Sequence, residues 1–384
     1  MAIPAVRKSA RWEFCYLLPN ISLPNNSANP QKPIELSLDC PEMVVVSDQD
    51  ARVSDLTARS DGLRRAVEGF TELSGRRQHP AVLIASTRMS AAARTSEAAL
   101  IGFRNALAMT YLLPGRAAAA RSGATQAPVY SEAFDVHPIQ IGKTGALVSV
   151  TQAHRMHYSV SAAFAGSINP YLGIGPRIFP QDTTLSKILG LAWKLRYRGR
   201  SPNRDLDVLF RALEVGFSAA RLGSNPHPSI NDHGIQVALW VSAMEILAWG
   251  SQRHANFDAV ARLLRGYPHL PSTLSQKRYR INSKQKSRSV NAIERLYHDL
   301  NRARNDFLHG NPVTANSLLA GTRAKPFLPA AASTLFRAAL LAYAIESVSL
   351  SREAAAVSSR THWINFEYSW ALRALLRGTP RDEE

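Results

Sequence analysis

The sequence predicts an α+β protein, with a mixed α/β front half and a helical back half. Three observations carry that expectation. The first forty-five residues alternate short apolar runs with Pro/Asn loops, strand signals vanish from about Leu185, and beyond residue 205 apolar residues recur at helical spacing in one segment after another. The chain has 384 residues, 45% apolar and 20% charged, which is enough for two or three domains and is ordinary globular composition.

Taken in order, WEFCYLLP and IELSLDCPEMVVVS read as strands on either side of the polar loop NISLPNNSANPQKP. Residues 50–74 read as one helix, because Leu56, Leu63, Val67 and Phe70 recur on one face, with Ser47 or Asp48 as its cap. The apolar run PAVLIAS follows, then a second long helix from about Ser90 to Leu113. VYSEAFDVHPIQI and ALVSVTQAHRMHYSV suggest two further strands, joined across Gly142 to Gly145. LSKILGLAWKLRYR opens the helical half, and RGRSPNRD at 198–205 reads as a linker. Helices are expected at 206–222, 232–249, 255–266, 288–309 and 330–356, before the amphipathic segment WINFEYSWALRALLRG. The expected organisation is a mixed α/β domain at 1–195 with a sensing or regulatory role, a helical bundle at 205–356, and a C-terminal amphipathic helix at 361–378.

Forty-six Lys and Arg against twenty-nine Asp and Glu leave a formal charge of +17. Such a field draws polyanions and disfavours acidic metal-binding or cationic-substrate roles. Thirty-seven of the basic residues are arginines, in places set among alanines as in RAAAAR at 116–121, which coding bias also produces. Cys15 and Cys40 are the only cysteines, which argues against a disulfide framework or a thiolate zinc cluster and fits a reducing compartment. No stretch reaches the roughly 18 uncharged apolar residues of a membrane span, and the N-terminus lacks the apolar core of a signal peptide. A cytoplasmic protein with no membrane partner is expected.

The sharpest signal begins near Arg288. Ile293, Leu296, Leu300, Ala303 and Phe307 form one apolar stripe, and the segment then ends in RNDFLHGNP. Gly310 suits a left-handed C-cap and Pro312 forbids continuation, which puts His309 in the final turn, close in sequence to Arg304, Asn305 and Asp306.

An Arg followed by a polar residue, and separated by four to six residues from a His at a helix end, resembles the motif of the HEPN superfamily. RN-x3-HG is similar to the Apea-like branch, as is the helix VALWVSAMEILAW, which sets Glu245 among apolar residues about sixty positions upstream. The resemblance covers roughly residues 205–350. It implies an all-α bundle, dimerisation and, in many members, metal-independent endoribonuclease activity in toxin and antiphage (antiviral) defence systems; other members are inactive RNA-binding or scaffold domains. On it, His309 is acid or base, Arg304 the phosphate clamp, and Asn305 orients either. Arg221 with His227 and Arg262 with His269 also meet the bare spacing, but both run into Pro-containing loops without the flanking Asn and Gly.

These residue types suit the chemistry in their own right. Cleaving RNA without a metal or cofactor needs the 2′-hydroxyl deprotonated, the leaving 5′-oxygen protonated and the charge at phosphorus stabilised; a His moves protons near neutral pH and an Arg grips phosphate through its planar fork. One His does not easily fill both proton roles, so a homodimer with two motifs across one cleft is expected. At 100° per residue Arg304 and His309 lie about 140° apart. A distorted last turn, a contribution from Arg302, which shares the face of His298, Asn305 and His309, or the reach of Arg304 is then required. Glu245 is the obvious acid to pair with Arg304, or else it lies on an exposed strip of its helix. In the plain alternative, Arg304 is only an ion-pair partner and His309 only a favourable group at a helix C-terminus.

The connector before this helix gathers Lys277, Arg278, Arg280, Lys284, Lys286 and Arg288 around Tyr279, a composition suited to tracking an RNA backbone or, failing that, to a solvated loop. It predicts a positive surface beside His309. Other motifs fall away. IGKTG at 141–145 has His137 where a phosphate loop needs Gly, His154 and His157 lack further zinc ligands, and FRNAL at 103–107 has no following His. The leading expectation is an endoribonuclease with RNA as partner and substrate. An inactive RNA-binding or dimerisation protein is the alternative, and a DNA-binding regulator, resting on charge alone, comes third.

Overall fold

The computed structural model describes residues 11–23, 34–70, 77–122, 130–137, 139–141, 147–149, 181–198, 203–222, 228–249, 257–268, 272–276, 278–282, 287–321, 325–347, 349–358 and 363–377. The chain is α+β and divides into two compact units, residues 1–103 with 133–178 and residues 104–132 with 179–384. The sequence placed a domain limit between 195 and 205; the helices that enter that stretch from either side, Thr183–Arg198 and Arg204–Leu222, both belong to the second unit.

In the first unit, β1 (Trp12–Leu18), β2 (Glu35–Leu36), β3 (Met43–Ser47) and β4 (Ala81–Ser86) form an antiparallel sheet of order β1-β4-β3-β2. All six residues of β4 are buried, which is why this strand reads as a continuous apolar run. Val44 pairs with Ile84 and Val46 with Val82. These four residues pack with Val53, Leu63, Val67 and Phe70, on and just after the helices α1 (Ala51–Thr57) and α2 (Asp61–Glu68). The single helix expected over 50–74 is thus two. Asp50 caps α1 by accepting from the Arg52 N–H, and Ser60 restarts the chain as α2 by accepting from the Leu63 N–H. Asp48, one of the expected caps, is buried instead, hydrogen-bonded to His79 Nδ1 at 2.9 Å. Later in the chain, β5 (Ile139–Ile141) and β6 (Leu147–Ser149) pair as an antiparallel hairpin. The turn at Gly142 to Gly145 and His154 and His157 lie outside the described residues.

The helix expected from Ser90 to Leu113 is also two elements, α3 (Ala91–Thr95) and α4 (Glu97–Ser122), and α4 continues nine residues past Leu113 through Pro114. Proline has no N–H to give the carbonyl four residues earlier. That carbonyl, on Thr110, accepts the Asp182 N–H at 2.8 Å instead.

The second unit continues with α5 (Thr183–Arg198), α6 (Arg204–Leu222), α7 (Ile230–Ala248), α8 (Phe257–Arg265) and α9 (Ser272–Gln276). A hairpin of β7 (Tyr279–Asn282) and β8 (Ser287–Val290) precedes α10 (Ala292–Leu308), and α11 (Leu328–Glu346), α12 (Ser351–Ser358) and α13 (Trp363–Arg377) complete it. The hairpin corrects the all-helical expectation. Asn291 and Glu294 form a capping box that starts α10 at Ala292, so residues 287–290 are free to pair as a strand. The helix expected over 330–356 breaks at Ser347.

At the centre α7 packs against α6, α8, α10 and α11, burying Val237, Trp240, Val241, Met244 and Leu247. Among the described residues, α11 is the one helix long and apolar enough to cross a membrane, and 89% of its apolar window is buried, as in a core helix. Its Arg337 is wholly buried: Nε donates to Asp182 Oδ2 at 2.7 Å, Nη1 donates to the Tyr267 hydroxyl at 3.3 Å, and the guanidinium lies 3.8 Å from the Tyr368 ring centre.

Candidate functional site

α10 carries the motif, and its two ends are built differently. At the N-terminal end Asn291 Oδ1 accepts the Glu294 N–H at 2.9 Å while Glu294 Oε2 accepts the Asn291 N–H at 2.8 Å. At the C-terminal end His309 is the C-cap, with φ −90° and ψ 7°. Gly310 follows at φ +71°, the left-handed conformation its sequence position called for. The Gly310 N–H donates to Phe307 O at 3.3 Å and the Asn311 N–H to Asp306 O at 2.9 Å, which completes a Schellman closure. Asp306 also accepts from Asn311 Nδ2 at 3.1 Å, so its side chain serves this cap. The end is seated on α7 through Gly234, where a Cβ would come within 2.3 Å of the Phe307 ring.

Arg304 turns inward. Its Nη2 stands 3.6 Å from Glu245 Oε2 on α7, and its Nη1 donates to Asn305 Oδ1 at 3.1 Å. The Arg304 Nε is buried and has no hydrogen-bond partner among the described residues. Burial raises the Glu245 carboxyl above the ordinary carboxylate range, against the opposing charge of Arg304. His309 points the other way in character: it is exposed, as is Arg302, and neither side chain makes a hydrogen bond or ion pair among the described residues. The final turn is undistorted, because α10 stays α-helical through Leu308. The angular separation of Arg304 and His309 therefore persists, and Arg304 spends its reach on Glu245.

The structure thus gathers Arg304, Asn305 and Glu245, and leaves His309 and Arg302 on the surface of a single chain. It also adds Tyr297. This residue lies seven positions before Arg304, two turns along the same face, and is fully buried, its hydroxyl without a partner among the described residues. Burial and then the nearby Glu245 charge raise its pKa far above the phenol range, with Arg304 opposing. The seven-residue spacing would have exposed it in the sequence. Next to it Asp299 is buried and accepts from the Gly321 N–H at 2.8 Å and Arg295 Nε at 3.2 Å, with His298 Nδ1 at 3.3 Å. Burial pushes the Asp299 carboxyl up, but these three partners outweigh it and hold it below the usual range.

The basic connector is the β7–β8 hairpin. Arg278, Arg280 and Arg288 are exposed and Tyr279 partly so, while Lys277, Lys284 and Lys286 lie outside the described residues. The hairpin sits at the start of α10, where Arg295 Nη1 donates to Arg280 O at 3.0 Å. The seventeen residues of α10 separate it from His309 by about 25 Å at 1.5 Å per residue. A positive surface beside His309 is therefore not what this connector supplies: being adjacent in sequence to a helix places a segment at the near end only.

Compared with known proteins, the chain matches no family model, no curated sequence and no solved structure. The family reading stands on the residues and their arrangement alone.

Proposed function

We propose that this chain is a metal-independent endoribonuclease of the HEPN type, cytoplasmic, working as a homodimer in a toxin or antiphage role. The observation that supports this best is the helix end itself: RNDFLHG closes α10 with His309 exposed at the cap, while Arg304, Asn305 and Glu245 cluster one turn earlier. In this reading His309 takes the 2′-hydroxyl proton or gives one to the leaving 5′-oxygen, and Arg304 offers its fork to the phosphate. Glu245 positions the guanidinium. A second copy supplies the other imidazole, because one chain presents a single His at this motif. The exposed arginines of the hairpin, Arg278, Arg280 and Arg288, hold the RNA backbone away from the scissile bond.

The test is RNA cleavage by the purified protein in EDTA. Products ending in 2′,3′-cyclic phosphate are expected, with a loss of about 10²–10⁴-fold in His309→Ala and Arg304→Ala. No cleavage, or cleavage indifferent to both substitutions, overturns the proposal. One observation favours the second reading, an inactive RNA-binding or dimerisation protein: within a chain Arg304 is held on Glu245 and no hydrogen bond joins it to His309. RNA binding without any cleavage is the outcome that reading expects.

A further inference from the structure

A cavity of about 480 Å³ opens between α8, β8 and the first turn of α10, lined by Phe257, Asp258, Arg262, Arg265, Arg288 and Glu294 together with Ala261, Ser289 and Val290. Its volume falls in the range of small-molecule sites. It lies at the opposite end of α10 from His309 and shares with the chemistry described above only Arg288, one of the three hairpin arginines given to the RNA backbone.

Three arginines face it against two carboxylates. Glu294 is fully engaged, with Oε1 2.5 Å from Arg265 Nη2 and Oε2 accepting from the Asn291 N–H, and it is buried. Asp258 pairs with Arg288. Arg262 is exposed and its side chain makes no hydrogen bond or ion pair among the described residues, though Glu346 feels its charge. Arg265 keeps 65% of its side chain exposed after meeting Glu294. The cavity therefore has spare guanidinium donors and a positive balance, the chemistry that grips phosphate through charge-assisted hydrogen bonds. It also has an aromatic wall. Phe257 is only partly buried and is braced from behind by Tyr297, stacked at 5.6 Å, and by the edge of His298 at 5.9 Å. A braced ring beside arginines suits a nucleobase as well as a phosphate.

We propose that this cavity binds a mononucleotide, its phosphate on Arg262, Arg265 and Arg288 and its base against Phe257. The proposal is independent of RNA cleavage. A bare phosphate leaves most of the volume empty, and a nucleoside leaves the arginines unmatched.

Calorimetric titration of the full chain with AMP, without RNA, tests it. AMP is expected to bind with Kd below about 1 mM, and adenosine and inorganic phosphate each about tenfold more weakly or worse. Arg262→Ala and Arg288→Gln, both exposed and checked by thermal melting, are expected to weaken AMP by about 10–100-fold. His309→Ala should bind AMP as the unaltered chain does, which separates this site from the cleavage motif. Absence of AMP binding at millimolar concentration, adenosine equal to AMP, folded arginine variants with unchanged affinity, or loss of AMP binding in His309→Ala each overturns the assignment.

Discussion

Arg337 and Arg304 each face a carboxylate within the helical unit, at 2.7 and 3.6 Å, but only one of them is fully surrounded. Arg337 is 0% exposed, with Nε on Asp182, Nη1 on Tyr267 and its face on Tyr368. Arg304 is 27% exposed at its side chain, stands beyond hydrogen-bond distance of Glu245 and leaves Nε without a partner among the described residues. A guanidinium held at once by a carboxylate, a hydroxyl and a ring ties helices together. One that keeps donors in reserve, beside an unpartnered Tyr297 hydroxyl, carries a cost of about 1–3 kcal/mol per buried orphan that packing alone does not explain.

The contrast is broken most severely at Arg337. Arg337→Met should cost about 3–5 kcal/mol in chemical denaturation, because it strands a buried Asp182. Adding Asp182→Asn, which keeps an oxygen for the Leu185 N–H that Asp182 now caps at 3.0 Å, should recover a large part. Equal loss in the single and double variants would show that the pair's charge is not what matters.

Asp299 lies between the two extremes. It is buried and satisfied by Arg295, His298 and the Gly321 N–H, and its folded-state pKa is depressed. Its stabilisation is therefore fully present above the unfolded carboxylate value, about 3.9, and is lost as pH falls through the lower folded value. Asp299→Asn should cost about 1–3 kcal/mol at pH 7, and the gap to the unaltered chain should close below about pH 4. A gap that widens in acid would refute the assignment.

Glu245 should give the smallest change in stability. Its folded-state pKa is raised by burial, so its contribution is present below the unfolded value and fades as pH rises through the folded one. Glu245→Gln should therefore stay within about 1 kcal/mol of the unaltered chain at pH 7, and become relatively more stable as pH rises from 4 to 7. A loss as large as that at Arg337 would make the Arg304 pair a structural one too.

Much of this was legible in the residues. β4 declared itself by an unbroken apolar run, and the end of α10 by Gly310 and Pro312, because strand burial and helix closure depend on a few neighbouring residues. The pairing of Arg304 with Glu245 was only half readable, since an acid set among apolar residues either meets a cation or lies on an exposed strip of its helix, and the sequence allowed both. What escaped were the places where a short polar side chain re-set the backbone. Ser60 split the expected helix over 50–74, and Asn291 with Glu294 moved the start of α10 and left 287–290 to pair with β7.

By itself the sequence determined the α+β class, the terminal cap of α10 and the presence of an Arg and a His near that cap, all matters of local conformation and periodicity. The tertiary structure alone decided that α4 runs through Pro114, because the stranded Thr110 carbonyl is satisfied by Asp182, seventy-two residues further on. It alone decided that Arg304 reaches back to α7 while His309 stays outside. A long side chain goes where distant neighbours have placed an opposite charge, and no window of sequence around residue 304 contains Glu245.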